Sequence, residues 1–113
     1  MMRIILNGRK CIFIAKIYFT NGIEYKLRPI LIIKKNSFGD YIYIPFTTNA
    51  QNENSIKFTT DDLKSGKFNK ISYLIIDKTC TIQENLLTKK IATINENKFN
   101  KILQNYCNYL KLN

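Results

Sequence analysis

Apolar residues in this chain gather into short runs parted by turn residues, and the spacing within the runs is that of a sheet. Residues 11–19, "CIFIAKIYF", are β-branched and aromatic and predict a strand. A loop over 20–27 carries an Asn-Gly turn signal, and a second strand is expected from Pro29 to about residue 35. Residues 36–40, "NSFGD", read as a hairpin turn into a third strand, "YIYIPFTT", over 41–48. Alternation there puts Ile42, Ile44 and Phe46 on one face and Tyr41, Tyr43, Pro45 and Thr47 on the other. With the aliphatic set on the core, Thr47 points away from it and Thr48 toward it, provided the strand runs that far.

The second half continues in the same style. Residues 49–55 form a polar loop and 56–59 a short strand. Thr59-Thr60-Asp61-Asp62-Leu63 resembles a helix start that gives way by Gly66. Residues 72–77 form a strand with Tyr73, Ile75 and Asp77 on one face, and 81–94 end in another. Asn95 is the expected N-cap of a C-terminal helix, on which Phe99, Ile102, Leu103, Tyr106 and Leu110 recur at helical spacing. Five to seven short strands and one helix predict a mainly β (α+β) fold, a small, strongly curved barrel with the helix packed on it. At 113 residues there is room for a single domain, 1–113.

Charge changes the picture more than composition does. Apolar residues at 45% and charged residues at 23% are ordinary globular values. The formal net charge is +10, nearly all of it from lysine. Such a field favours polyanions, nucleic acid first. Lys-, Asn- and Ile-rich usage can also follow from an AT-rich genome, which tempers the inference. Cys11, Cys80 and Cys107 are isolated thiols that form no CxxC pair. With no signal peptide and no apolar run long enough to span a bilayer, they point to a reducing cytoplasm and no membrane.

The chain contains no histidine, so Ser-His-Asp and Cys-His nucleophilic systems and His-containing metal sites are excluded. Neither a metal nor a cofactor is expected. Against this background Arg28, in "KLRPILII", stands out. Arginine presents a planar fork that grips phosphate or carboxylate in two places, where lysine is a point charge. Two readings stand open: Arg28 holds a phosphate, or it caps the strand against a neighbouring carboxylate.

The ordered set of a Gly-initiated first strand, "LRPILII", "IPFTTN", "SYLIIDKTCTI" and "LLTKKIATINENKFNKIL" resembles the MazF/PemK/Kid toxins, the ribonuclease halves of type II toxin–antitoxin pairs. The resemblance runs from about Gly8 to Leu110. It implies an SH3-like barrel, a homodimer, neutralisation by an acidic antitoxin, and metal-independent cleavage of single-stranded RNA. In that reaction the ribose 2′-hydroxyl attacks its own phosphodiester and leaves a 2′,3′-cyclic phosphate. Arg28 falls on the family's catalytic arginine and Thr47 on its phosphate-contacting threonine, while Asp77 and Glu24 are the acid–base candidates. Tyr25, Lys26, Thr48, Asn49 and Lys78 flank these positions as expected RNA contacts. Tyr18, Tyr41 and Tyr43 join Tyr25 as residues for base stacking or subunit contact. Ile75 stands where some members carry an arginine. A protein-targeting barrel like the CcdB gyrase poisons, or a catalytically silent relative, is the competing reading. Cys80 is read as a small buried hydrophobe.

Overall fold

The β-branched runs form strands and the polar breaks between them form turns held by their own side chains. The computed structural model describes residues 8–49, 53–68 and 71–111. In chain order these give β1 (Cys11–Tyr18), β2 (Tyr25–Lys35), β3 (Tyr41–Thr47), β4 (Ser55–Phe58), β5 (Leu63–Gly66), β6 (Ser72–Ile75), β7 (Cys80–Ile82), β8 (Leu87–Ile94) and the helix α1 (Glu96–Lys111). The Asn36 carboxamide accepts from the amides of Phe38 and Asp40 at 2.9 and 3.0 Å, closing the β2–β3 hairpin. Asn21 does the same for Ile23 and Glu24 between β1 and β2.

Seven strands lie in the order β4-β6-β3-β2-β1-β8-β5, with β7 added beside β3 off that path, and each pairing is antiparallel. The two ends of this order, β4 and β5, are consecutive in sequence. Residues 59–62 between them can reach at most about 17 Å, so the sheet has to curl until its edges nearly meet. The connection is a single 3-10 turn, Thr60–Asp62, in which Thr59 and Asp62 bond each other's end of the turn. This is the helix start expected near Thr59, cut short because Gly66 is drawn into pairing with β8. Register shifts in β1–β8, β2–β3 and β5–β8 supply extra twist for the curl. The expected small, strongly curved β fold with one C-terminal helix is present, as a curled half-barrel.

Both faces of the curled sheet are buried. One cluster holds Ile12, Leu31, Ile44, Phe46, Phe58, Leu74 and Ile94 and receives Phe99 and Ile102 from α1. Each fully buried helix side chain contributes roughly 1.5–3 kcal/mol. The other cluster holds Phe13, Ala15, Ile30, Ile32, Ile82 and Leu87 with Tyr41 and Tyr43. The alternation read from β3 therefore holds, but its tyrosine face is a second core. Tyr41 is wholly buried, which removes it from base stacking, and Tyr43 is nearly buried.

Four further boundaries differ from expectation. β2 begins at Tyr25, because Tyr18 pairs with Tyr25 and carries the ladder into the expected loop. β3 stops at Thr47, leaving Thr48 exposed rather than turned to the core. The strand expected over 72–77 ends at Ile75 and passes into a 3-10 turn over Ile76–Lys78. On α1 the apolar seam follows Leu103, Tyr106 and Tyr109 toward the end, while Leu110 faces solvent. Asn95 caps the helix as expected, accepting from the Lys98 amide at 2.7 Å. Among the described residues no helix is long and apolar enough to cross a membrane.

Gly66 is where the curl leaves no room for a side chain. Its φ is +88°, and an added Cβ would sit 2.3 Å from the Ile91 carbonyl oxygen and 2.5 Å from Ala92 Cα. Gly39 also has positive φ, +86°, but open space around it. Gly66→Ala is expected to destabilise the fold by about 3 kcal/mol and Gly39→Ala by about 1. Thermal melts would show a drop of roughly 10 °C for the first and a few degrees for the second; equal drops would contradict the close approach at Gly66.

Candidate active site

The site begins where two strands part. β2 and β3 are paired from Lys35↔Tyr41 as far as Ile30↔Pro45, and the ladder ends there. The chain's two prolines, Pro29 and Pro45, stand at this point on the two strands. Neither has an N–H to give to a ladder. Carried two residues further, the same register sets Arg28 opposite Thr47. Pairing with other strands fixes both positions: Arg28 is matched to Ala15 on β1, and Thr47 to Tyr73 on β6.

A groove of about 730 Å³ occupies the place where the strands diverge. Arg28, Thr47, Thr48 and Lys78 all line it, together with Tyr43, Ile75 and Cys80. Period-2 alternation explains the grouping, since Ile17, Arg28, Ile30, Tyr43, Pro45 and Thr47 all project from one face of the sheet.

The polar groups are set for an anion. Neither ion pair among the described residues involves Arg28: they join Lys10 to Glu96 and Lys98 to Asp62. The Arg28 fork thus has no carboxylate partner among the described residues, which weighs against the strand-cap reading. The Asn49 amide donates to Thr47 Oγ1 at 3.1 Å. That bond occupies a lone pair of the hydroxyl and leaves its proton to be donated into the groove. A cationic fork, a lysine and an oriented hydroxyl converge with no negative charge lining the groove.

The other expected residues fall elsewhere. Asp77 is exposed on the 3-10 turn and accepts from Asn54 Nδ2 at 3.2 Å; it does not line the groove, although Lys78 beside it does. Glu24 is exposed in the β1–β2 turn, four residues from Arg28 along the chain. Tyr25 projects from the face opposite Arg28, with its ring 5.3 Å from that of Tyr18 and Lys16 Nζ 5.2 Å above it. Lys26 shares the face of Arg28 and lies 5.8 Å over the Phe19 ring. Asn49 acts through its amide on Thr47. Ile75 lines the groove on the Thr47 side. Among the described residues no group of His, Cys, Asp or Glu stands together as a metal site.

Three lining residues stand otherwise than the sequence suggested. Cys80, expected to be buried, is exposed in the groove wall beside Tyr43. Tyr43, expected for base stacking or subunit contact, lines the groove from a nearly buried position. Ser72 had one signal, a hydroxyl at a strand position on the face of buried Leu74.

A half-barrel of antiparallel strands with a groove lined by Arg28 and Lys78 and by no carboxylate defines a small basic protein with a candidate anion site. A family model for the PemK-like, MazF-like toxins of type II toxin–antitoxin systems matches residues 9–110, and the chain belongs to that family. Among solved structures it is similar to a mycobacterial endoribonuclease in complex with its cognate antitoxin, with TM-score 0.69, 17% identity, and 93% of this chain and 95% of that one covered. The Mycobacterium tuberculosis toxin MazF-mt6 gives a TM-score of 0.67 at 19% identity, over 91% of this chain and 98% of that one. The MazE–MazF structure of Deinococcus radiodurans gives 0.61 at 12% identity, covering 89% and 93%. No curated protein sequence matches.

Burial raises the pKa of Tyr43 above the usual 10.0, and the neighbouring Cys80, by charge and by hydrogen bond, adds to the rise. Burial, then Glu84, raises Tyr41 likewise. A raised folded-state pKa contributes stability that is fully present below the unfolded value and is lost as pH climbs through the folded one. Urea midpoints are therefore expected to hold from pH 7 to 9 and to fall above about pH 10. Tyr43→Phe should soften that fall; an unchanged slope would show that Tyr43 ionises as freely folded as unfolded.

Proposed function

We propose that this protein is an endoribonuclease toxin that cleaves single-stranded RNA without a metal ion, using Arg28 and Thr47 on the scissile phosphate. The observation that carries the reading is the Arg28 fork facing Thr47 across a groove, with no carboxylate partner among the described residues. RNA brings its own nucleophile, so a chain without histidine can serve this chemistry. The 2′-oxygen forms a bond to phosphorus, the bond from phosphorus to the 5′-oxygen breaks, and the 2′-proton is balanced by one delivered to the leaving oxygen. The products are a 2′,3′-cyclic phosphate and a 5′-hydroxyl.

Arg28 stabilises the charge that builds on the phosphorane oxygens and favours protonation of the leaving oxygen, while Thr47 donates to a phosphate oxygen. Lys78, and Lys26 further along β2, hold the strand by flanking phosphates. Of the two carboxylates, Asp77 is the better proton acceptor, because it adjoins groove-lining Lys78. Glu24 lies four extended residues, about 13 Å, from Arg28. The same reading makes the protein a cytoplasmic homodimer. A second reading, binding of RNA without cleavage, is favoured by apolar Ile75 in the groove wall.

Purified protein and single-stranded RNA, mixed in EDTA, are expected to yield 2′,3′-cyclic ends. Arg28→Lys should keep the fold and the charge and lose at least tenfold in rate, because a point charge does not replace a bidentate fork. Rates within about threefold of wild type would remove Arg28 from catalysis, and RNA bound but uncut by wild type would favour the second reading.

A cell full of RNA requires such a protein to be restrained. The restraining partner proposed is an acidic antitoxin whose segment folds across the groove, setting carboxylates against Arg28 and the lysines. Calorimetric titration with the acidic product of an adjacent gene should show affinity that falls with salt and binding that excludes RNA. Simultaneous binding of both would place inhibition on a distant surface.

A further inference from the structure

The groove extends past the phosphate-binding pair into a part of different chemistry. Phe46, Phe68 and Ser72 line it there, next to Thr48. Ser72 is paired with Phe58 on β4 and shares the face of buried Leu74, which turns it away from the Thr47 side of β6. The ring centroids of Phe46 and Phe68 are 4.9 Å apart, and that of Phe58 lies 5.8 Å from Phe68. Here the walls are aromatic and the charge of Arg28 is left behind.

Ser72 is the anomaly in this recess. It is the one polar residue among the buried described residues, 3% exposed. Its hydroxyl has no hydrogen-bond partner among the described residues, and it lines the groove. No side-chain oxygen or nitrogen described is both sealed from the groove and unpaired, so the Ser72 hydroxyl opens into it. A hydroxyl that meets only groove water adds little to the fold that alanine would not supply at this strand position. The hydroxyl is therefore available to a group that enters the groove.

We infer that the Phe46–Phe68–Ser72 recess receives a nucleobase of the bound RNA, one next to the cleaved bond, and that Ser72 hydrogen-bonds its edge. This rests on the endoribonuclease reading. A base is flat and apolar on its faces and polar on its rim, which suits aromatic walls with one hydroxyl. Serine both donates and accepts, so it anchors any base edge presented and selects weakly among them. Phe46 and Thr48 flank Thr47 along the chain and line the same groove, so a nucleotide whose phosphate meets Arg28 and Thr47 has a neighbouring base beside the recess. Ser72 thus contributes to binding and to the placement of the scissile phosphate, with no part in proton transfer.

The test pairs a protein variant with a substrate variant. The substrate is an oligonucleotide with one cleavable ribonucleotide, either intact or abasic at a position flanking the cleaved bond. Ser72→Ala is expected to fold normally, to keep kcat within about twofold, and to raise KM about fivefold, the worth of one neutral hydrogen bond. The abasic substrate should raise KM for wild type, and for Ser72→Ala by about fivefold less, because the same bond is lost only once. Ser72→Thr, which retains a hydroxyl, should keep the wild-type response. Unchanged KM in Ser72→Ala, effects that simply multiply, or a variant that fails to fold would each overturn the base recess. Wild-type protein that cuts neither this substrate nor total RNA would overturn the endoribonuclease reading as well.

Discussion

The end of the β2–β3 ladder at Ile30↔Pro45 is the constraint on which the site depends. Up to that pair the two strands share buried faces and cannot separate. Beyond it Pro29 and Pro45 offer no donors, so holding the strands together would leave carbonyls without partners. Each strand turns to its other neighbour instead, β2 to β1 and β3 to β6. The opening is thereby made from backbone that remains hydrogen-bonded, and the residues beyond it, Arg28 and Thr47, stand on rigid strands. A site on loops would not hold a fork and a hydroxyl in fixed opposition.

Rigidity there is supported by burial on both faces of the sheet. A half-barrel with one wet face would leave β2 free to flex where it leaves β3. Here Ile30 and Ile32 anchor one face of the strand and Leu31 and Ile33 the other. Tyr41 and Tyr43, which a surface reading would give to ligand binding, serve this second core. Tyr43 also lines the groove, next to Cys80, while Tyr41 lies wholly within this core. The basic charge is distributed differently. Most lysines are exposed on strands and turns, giving a long-range pull on polyanions, while Arg28 alone brings a fork to the point where the strands part.

Much of this was legible in advance because the governing signals are local. Strand runs, the Asn36 turn and the Asn95 cap are each settled within a few residues. Arg28 and Thr47 were legible through residue chemistry and alternation, since arginine among lysines is informative and period 2 fixes the face. The acids were harder. Asp77 and Glu24 were candidates by chain position, and the structure holds Asp77 to Asn54 and leaves Glu24 in a turn, because a carboxylate's place depends on where the curl carries its strand.

Sequence by itself determined six of the strands, the helix, the absence of imidazole chemistry, and the pair of side chains turned off the main core, but not β5 or β7. These follow from covalent geometry, side-chain chemistry and short-range periodicity, which need no distant partner. Tertiary structure alone decided that the tyrosine face of β3 is buried, that Cys80 is exposed, and that Ser72 reaches the groove from a strand remote in sequence. Those outcomes depend on which strands become neighbours. Here that choice is set by a four-residue link between the two sheet edges and by two prolines that end a ladder, and no periodicity within one segment encodes either.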